Sequence, residues 1–439
     1  MLAVVKTERS ECSRVEDRDR IFEAVRSIDG GFCTVDRMVF RAMEAWFVRR
    51  LQVQVASEQE LGHDVAAAEW QRVLGKLLCD KSDFKAALVL LEQSHATLLR
   101  ELGPEHPSTL LSLRALAECL DENGEVIKAR SLHQTCLEMR QRVLGAEHRD
   151  TLESMSDVAT GLEELGQYAR ALDMFQTCWE SYKRINGEEH RDTMDALYHL
   201  AACYRSMGQS QRALPMLEAN VEMSKRLKGE DHPDTVAAIY EVASTLQEIG
   251  LNDRAISLLQ HCVDAQTRLL GFEHIMTQNV VYDLAISFME VGQLQQALSL
   301  AERHRDICLR NFGCDHPDSI TATNLVAQVL QFLDRYDDAL PLYMECLHKT
   351  REAHGDDHPD SLSYANNVAL LYQEKELFDH ALPIHLAVLE ACKRVHGDHH
   401  PETFIMMHNL AGHAPQSPTR AACSADSSFL QNVSCRKET

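Results

Sequence analysis

Between residues 232 and 271 the apolar side chains fall in two runs. Val236, Ile239, Val242, Ala243 and Leu246 follow at three- and four-residue spacing, and after Gly250 so do Ala255, Leu258, Leu259 and Cys262. Such spacing gathers apolar groups on one face of an α-helix, whereas a half-buried strand would alternate. Pro233 suits the first helical position, where its missing N–H breaks no intrahelical bond, and Asp231 and Asp234 put negative charge at the positive end of the helix dipole. Arg268 lies in the last turns of the second run and Gly271 offers a left-handed stop. The stretch predicts a helical hairpin, helix A then helix B, each roughly 15 to 18 residues long.

The hairpin recurs. Glycines stand at Gly103, Gly145, Gly187, Gly229, Gly271, Gly313, Gly355 and Gly397, each 42 residues after the last, and "LGPEHPSTL" returns as "LGAEHRDTL", "LKGEDHPDTV" and "AHGDDHPDSL". In helix A, Gly75 is followed at the same interval by alanines from Ala117 to Ala411, and helix B carries alanines from Ala87 to Ala381. Only a side chain no larger than methyl lets two helices cross closely there. The expected fold is all-α: about eight helical hairpins stacked as a right-handed α-α superhelix over residues 61–411, the first a degenerate hairpin at about 64–101. Residues 1–60 break the period. "VDRMVFRAMEAWFVRRLQVQV" reads as an amphipathic helix whose Trp46, Phe47, Leu51 and Val55 cap the first hairpin, and 412–439 is expected to be a disordered tail.

The spacing from the small residue of helix A, through the hairpin glycine, to the alanine of helix B resembles the tetratricopeptide repeat. The 42-residue period and the "G-[ED]-[ED]-H-P-[DE]-[ST]" linker are similar to the kinesin light chain type of that family, as are "NNVALLYQ" at Asn366 to Gln373 and "HNLA" at His408 to Ala411. The resemblance implies a noncatalytic scaffold or adaptor in which helix A lines a concave groove that takes a segment of a partner protein. It also implies that the residue three before the small position projects into that groove. That series reads Arg114, Ser156, Tyr198, Tyr240, Tyr282, Asn324, Asn366 and His408, and two turns onward come Arg205 and Gln373. Tyr198, Arg205, Tyr240, Tyr282, Asn324, Asn366 and Gln373 are therefore the expected partner-binding residues. Tyrosine offers rigid contact area with a hydroxyl, and asparagine can pair with both backbone groups of an extended peptide. Replacing Tyr240 and Tyr282 together by alanine is expected to weaken partner capture and leave helicity and melting unchanged. Heptads sustained enough to engage a kinesin heavy chain are not found ahead of the repeats, because "SIDGGFC" interrupts a short region.

Charge narrows the partner class. Lys and Arg number 44 against 67 Asp and Glu, a formal net charge of −23, which disfavours nucleic acid and anionic membrane. No run of about 20 apolar residues predicts a membrane span, and "MLAVVKTERSEC" lacks the apolar core of a signal peptide. The 14 cysteines recur at repeat positions, as at Cys136, Cys178, Cys262 and Cys346, so they read as small buried residues in a reducing, cytoplasmic setting.

The linkers hold the groups that look chemical. A metal site or acid–base machinery built on the linker histidines, from His106 to His400, is the enzymatic alternative. Equivalent positions in stacked hairpins lie on the order of 10 Å apart, however, whereas zinc ligands converge to about 2 Å from the ion. The histidines are therefore expected to hydrogen bond or pack at hairpin junctions, and the linker Thr and Ser hydroxyls to satisfy free backbone N–H groups of the first turn. No catalytic residue, metal or cofactor is expected. The remaining alternative is that the array is the sensor portion of a larger signalling protein.

Overall fold

The computed structural model describes residues 31–398 and 400–411. The expected tail, 412–439, lies outside the described residues, as does the segment before residue 31. Within the described residues there are eighteen helices and no strand, divided between two compact units, Met1–Lys228 and Gly229–Thr439.

The first unit holds α1 (Gly31–Glu60) and four A/B hairpins: α2/α3 (Asp64–Cys79, Phe84–Leu102), α4/α5 (Pro107–Glu122, Val126–Leu144), α6/α7 (Arg149–Glu164, Tyr168–Asn186) and α8/α9 (Arg191–Ser206, Ser210–Lys228). The second holds α10/α11 (Pro233–Glu248, Asn252–Leu270), α12/α13 (Ile275–Glu290, Leu294–Phe312), α14/α15 (Pro317–Phe332, Tyr336–His354) and α16/α17 (Pro359–Glu374, Phe378–His396). A final helix A, α18 (Pro401–Ala411), follows. Eight hairpins of the expected kind are thus present. Each helix A before α18 has 16 residues, within the expected length, and each helix B has 19, slightly longer than the periodicity suggested.

Helix starts and stops are local chemistry. The linker histidine is the N-cap of helix A: Nδ1 of His106, His148, His190, His232, His316 and His358 accepts the backbone N–H two residues on at 3.2 to 3.3 Å, and His274 does the same. One of the first four orphan donors is thereby satisfied by an imidazole instead of the usual Ser, Thr, Asp or Asn. The linker hydroxyls act the other way from the expectation. Thr193, Thr277, Ser361 and Thr403 donate to the carbonyl of the glycine six residues earlier, at 2.7 to 3.0 Å, so they close the stop of the preceding helix B rather than the start of helix A. Those glycines sit at φ between +85° and +97°, where a Cβ is strongly disfavoured.

Packing follows the small residues. Ala243 of α10 and Ala255 of α11 are both fully buried at the crossing, as are Ala285 and Ala297 in the next hairpin. At Gly75 an added Cβ would lie 2.7 Å from Cγ of Leu91, so even a methyl is excluded. A second tie joins the two helices of a hairpin. Ser94, Cys136, Cys178, Asn220, Cys262 and Cys346 share one helix B position, and each donates to the helix A carbonyl 26 residues earlier. Burial pushes the Cys262 and Cys346 thiols up to about 12, so these groups act as neutral donors and not as thiolates. His304 occupies the same position. Its Nδ1 donates to Gln278 Oε1 at 3.0 Å, while Nε2 faces Cys308 Sγ at 3.7 Å. Burial pulls this imidazole down to about 4.

α1 packs against α2 through a face on which Val55 is buried and Leu51 half-buried. Trp46 and Phe47, expected under the same cap, lie on the exposed side, their rings edge to face at 5.1 Å. The helix carries apolar groups on more than one side, and only the side of Leu51 and Val55 meets the hairpin.

Two measurements check this account. His148→Ala removes one cap and is expected to lower stability by about 1 kcal/mol, whereas His148→Asp, an ordinary capping residue, restores most of it; urea unfolding of both variants decides. His304 is depressed in the folded state relative to an unfolded value near 6.5, so its contribution is present above pH 6.5 and is lost as pH falls toward 4. Between pH 7 and pH 5 that loss amounts to about 2 kcal/mol, and His304→Cys, the residue used in four sister hairpins, should flatten the decline in unfolding free energy by that amount.

Candidate functional site

Three of the helix A side chains expected to meet a partner, Tyr240, Asn324 and Asn366, are tied to the neighbouring helix A. In the second unit the Tyr240 hydroxyl on α10 donates to the Asp283 carboxylate on α12, and Asp283 is buried. Asn367 Nδ2 on α16 donates to Asn324 Oδ1 on α14 at 3.1 Å, and Asn409 Nδ2 on α18 donates to Asn366 Oδ1 on α16 at 3.1 Å. In the first unit the Arg114 guanidinium on α4 forms a fork on Asp157 of α6 at 2.7 and 3.1 Å, and its Nη1 reaches Glu153 at 2.8 Å. Each pair joins the residue three before one small position to the residue two before the next, 43 positions on.

A second tier lies at the other end of helix A. Cys79 donates to Glu122, Ser206 to Glu163 and Gln331 to Glu374, again across 43 positions, at 2.6 to 3.1 Å. Gln247 bridges from the same tier to the Asp283 carbonyl at 3.0 Å and the Ser287 hydroxyl at 2.8 Å. Tyr343 donates to Gln331 Oε1 at 2.7 Å, and His133 meets Asp121 at 2.9 Å, so helix B supports this tier from behind.

The sequence-expected residues therefore separate by environment. Asn324 and Asn366 are buried, at 8% and 5% exposure, and their Oδ1 atoms already accept from the next helix A. Tyr240 is half-buried with its hydroxyl on Asp283, so alanine there would remove a donor from a buried carboxylate. Unchanged melting, expected for that substitution, does not follow from this geometry. Tyr198 and Tyr282 are half-buried and lie against histidines, Tyr198 edge-on to His199 at 5.7 Å and Tyr282 tilted to His304 at 5.8 Å. Arg205 and Gln373 are half-buried; among the described residues the buried Oε1 of Gln373 accepts no hydrogen bond.

The first unit also contains a cleft of about 390 Å³. Arg149, Arg191 and Arg114 line it together with Asp157, Asp192 and Asp195, and Arg149 reaches Asp192 at 3.0 Å. Arg149 and Arg191 replace the proline that opens helix A in five other repeats. Periodicity alone did not single them out, although the exchange of "HP" for "HR" in two consecutive linkers was the available signal.

Among the described residues no group of three or more His, Cys, Asp or Glu side chains could hold a metal ion, and no helix is long and apolar enough to cross a membrane. Nδ1 of seven of the linker histidines that suggested metal or acid–base chemistry is taken up as a helix cap.

The comparisons with known proteins fit this geometry. Family models described as tetratricopeptide repeat match residues 68–108, 117–184, 192–268, 277–348 and 319–385, more than half of the chain. No curated protein matches. Among solved structures, the apo quorum sensor NprR from B. thuringiensis is 13% identical over 81% of this chain and 99% of its own, with a TM-score of 0.57. A Pyrococcus horikoshii signal transduction ATPase with a tetratricopeptide repeat sensor is 15% identical over 80% of this chain and 53% of its own, with a TM-score of 0.51. TPR-like repeats of a putative kinesin light chain from Podosopora anserina are 24% identical over 47% of this chain and 99% of their own, with a TM-score of 0.44. These identities speak to fold alone. With its 42-residue hairpins, small-residue crossings and family-model matches across both units, the chain belongs to the tetratricopeptide repeat family.

Proposed function

We propose that the chain is a noncatalytic scaffold that captures a segment of a partner protein on the helix A side of its repeats, in the concave groove that the family resemblance implies. The observation that carries this reading is the placement of Tyr198 and Tyr282. Both occupy the position that varies from repeat to repeat, both are half-buried, and each lies against a histidine. Rigid aromatic area of this kind supplies binding energy at low entropic cost, and contacts spread over several hairpins add to it. Arg205 and Gln373 extend the surface with a charge and with an acceptor that lacks a donor. Asn324, Asn366 and Tyr240 contribute by fixing the register of the surface. The capture takes place in the cytoplasm, the compartment that suits an array whose described cysteines are all free thiols.

A second reading, a repeat sensor within a larger signalling protein, draws on the similarity to the Pyrococcus ATPase and to NprR. A catalytic or DNA-binding domain encoded next to the repeats would favour it.

Two outcomes test the scaffold reading. Tyr198→Ala with Tyr282→Ala is expected to reduce recovery of the partner at least tenfold in affinity capture from the source cell followed by mass spectrometry, while circular dichroism shows the helices retained; an unchanged set of captured proteins overturns the assignment. Tyr240→Phe, which keeps the ring and removes only the donor to buried Asp283, is expected to cost about 1 to 3 kcal/mol of stability with little effect on capture, and the reverse pattern would make Tyr240 a contact residue instead of a tie.

A further inference from the structure

Between α4 and α6 the first unit shows how it holds a guanidinium. Arg114 forks onto Asp157 at 2.7 and 3.1 Å and reaches Glu153 at 2.8 Å. One repeat on, 42 residues later, the same three positions carry Ser156, His199 and Asp195. Packed helix axes lie about 8 to 10 Å apart, a gap that an arginine spans and a serine does not. The place that Arg114 fills between α4 and α6 therefore has no long side chain between α6 and α8. The cleft of about 390 Å³ lies there, with Ser156, Asp195 and His199 all in its lining.

Charge says what kind of group fits. The carboxylates of Glu153, Asp157, Asp192 and Asp195 line the cleft against the three guanidinia of Arg114, Arg149 and Arg191, so it is one positive charge short. Three of those carboxylates already hold an arginine from the preceding helix A: Glu153 and Asp157 take Arg114, and Asp192 takes Arg149 at 3.0 and 3.3 Å. Asp195 is different. Arg191 of its own helix stands 3.6 Å away, beyond hydrogen-bonding range, and the Asp195 side chain is 61% exposed. A carboxylate or phosphate entering the cleft would meet negative charge in excess, whereas a cation would meet a carboxylate that still has acceptor capacity.

The aromatic wall is compatible with that guest. Burial holds the His199 imidazole below its ordinary range, so at neutral pH it is uncharged and does not repel a cation. Phe175 stacks on its ring with centroids 5.7 Å apart, and Tyr198 meets it edge-on at 5.7 Å. The cleft thus adjoins one of the two tyrosines proposed to contact a partner.

We propose, on the scaffold reading above, that the captured segment carries an arginine whose guanidinium enters this cleft and pairs with Asp195 as Arg114 pairs with Glu153. The partner segment thereby supplies the cation that the chain itself provides one repeat earlier. Arginine suits the place better than lysine, because its planar fork matches a carboxylate with two parallel bonds, the arrangement already present at Asp157.

The probe is N-acetyl-L-arginine methylamide, titrated into the full chain and followed by saturation-transfer difference NMR. Its citrulline analogue, which keeps the planar shape and loses the charge, is the control. We expect saturable binding in roughly the millimolar range, at least fivefold weaker for the citrulline analogue and for Asp195→Asn, and lost in Ser156→Arg, where the chain supplies the guanidinium itself. Glu180→Gln, the same change of charge on α7, is expected to leave binding unchanged, and circular dichroism confirms that each variant folds. Absence of saturable binding, equal binding of the citrulline analogue, or binding indifferent to both Asp195→Asn and Ser156→Arg overturns the proposal. In affinity capture Ser156→Arg is expected to reduce recovery of the partner at least fivefold. Unchanged recovery there, with capture still lost in Tyr198→Ala with Tyr282→Ala, overturns the arginine and leaves the scaffold reading standing, so the two fail separately.

Discussion

Where helix A crosses helix B, nothing larger than a methyl group fits, and most of the architecture follows from that. The alanine pairs are fully buried in hairpin after hairpin, and Leu91 closes on Gly75 so tightly that even a methyl is shut out. Close approach lets the larger side chains around the crossing, such as Leu246 and Leu259, become fully buried, which is where dispersion and apolar burial act. A small residue stabilises little by itself. Its value lies in the contacts it permits, and a larger residue there would separate two helices over their whole length.

Polar groups then decide which helix A sits beside which. Apolar faces of similar shape would tolerate sliding by a helical turn, whereas the bonds that span 43 positions do not. Arg114 on Asp157, Tyr240 on Asp283 and the two asparagine pairs each match a donor to an acceptor in one register only. A half-satisfied buried polar group costs about 1 to 3 kcal/mol, so a slipped register would be penalised at every tie. Stability is approached hairpin by hairpin, with each one bonded to its neighbours within the unit.

The fold was legible in the sequence because the signals were short-range and repeated: apolar spacing for the helices, glycine for the stops, alanine for the crossings. The surface residues were legible only in part. Tyr198 and Tyr282 keep some of the exposure that their repeat position implied, but Asn324 and Asn366 are buried because position within a repeat fixes direction and says nothing of what the next hairpin brings opposite. The missing signal was present 43 residues on, in complementary pairs such as Tyr with Asp and Asn with Asn. The linker histidines were expected to hydrogen bond at the hairpin junctions, and they do, yet an imidazole serving as N-cap could not be read from composition, since capping preferences favour Ser, Thr, Asp and Asn.

These ties also bear on how such a surface binds. A contact residue on one helix A stands one or two positions from a residue bonded to the neighbouring helix, as Tyr282 stands beside Asp283. A partner segment pressing on Tyr282 therefore loads the α10–α12 tie directly. When a segment spans several hairpins, ordering the first contact orders the ties on either side, and the next contact meets a surface that has already lost part of its freedom. Affinity in this arrangement grows with the number of consecutive hairpins engaged rather than with the strength of any one anchor. On the proposed function, the polar network that holds the register belongs to the binding surface even where its members are buried.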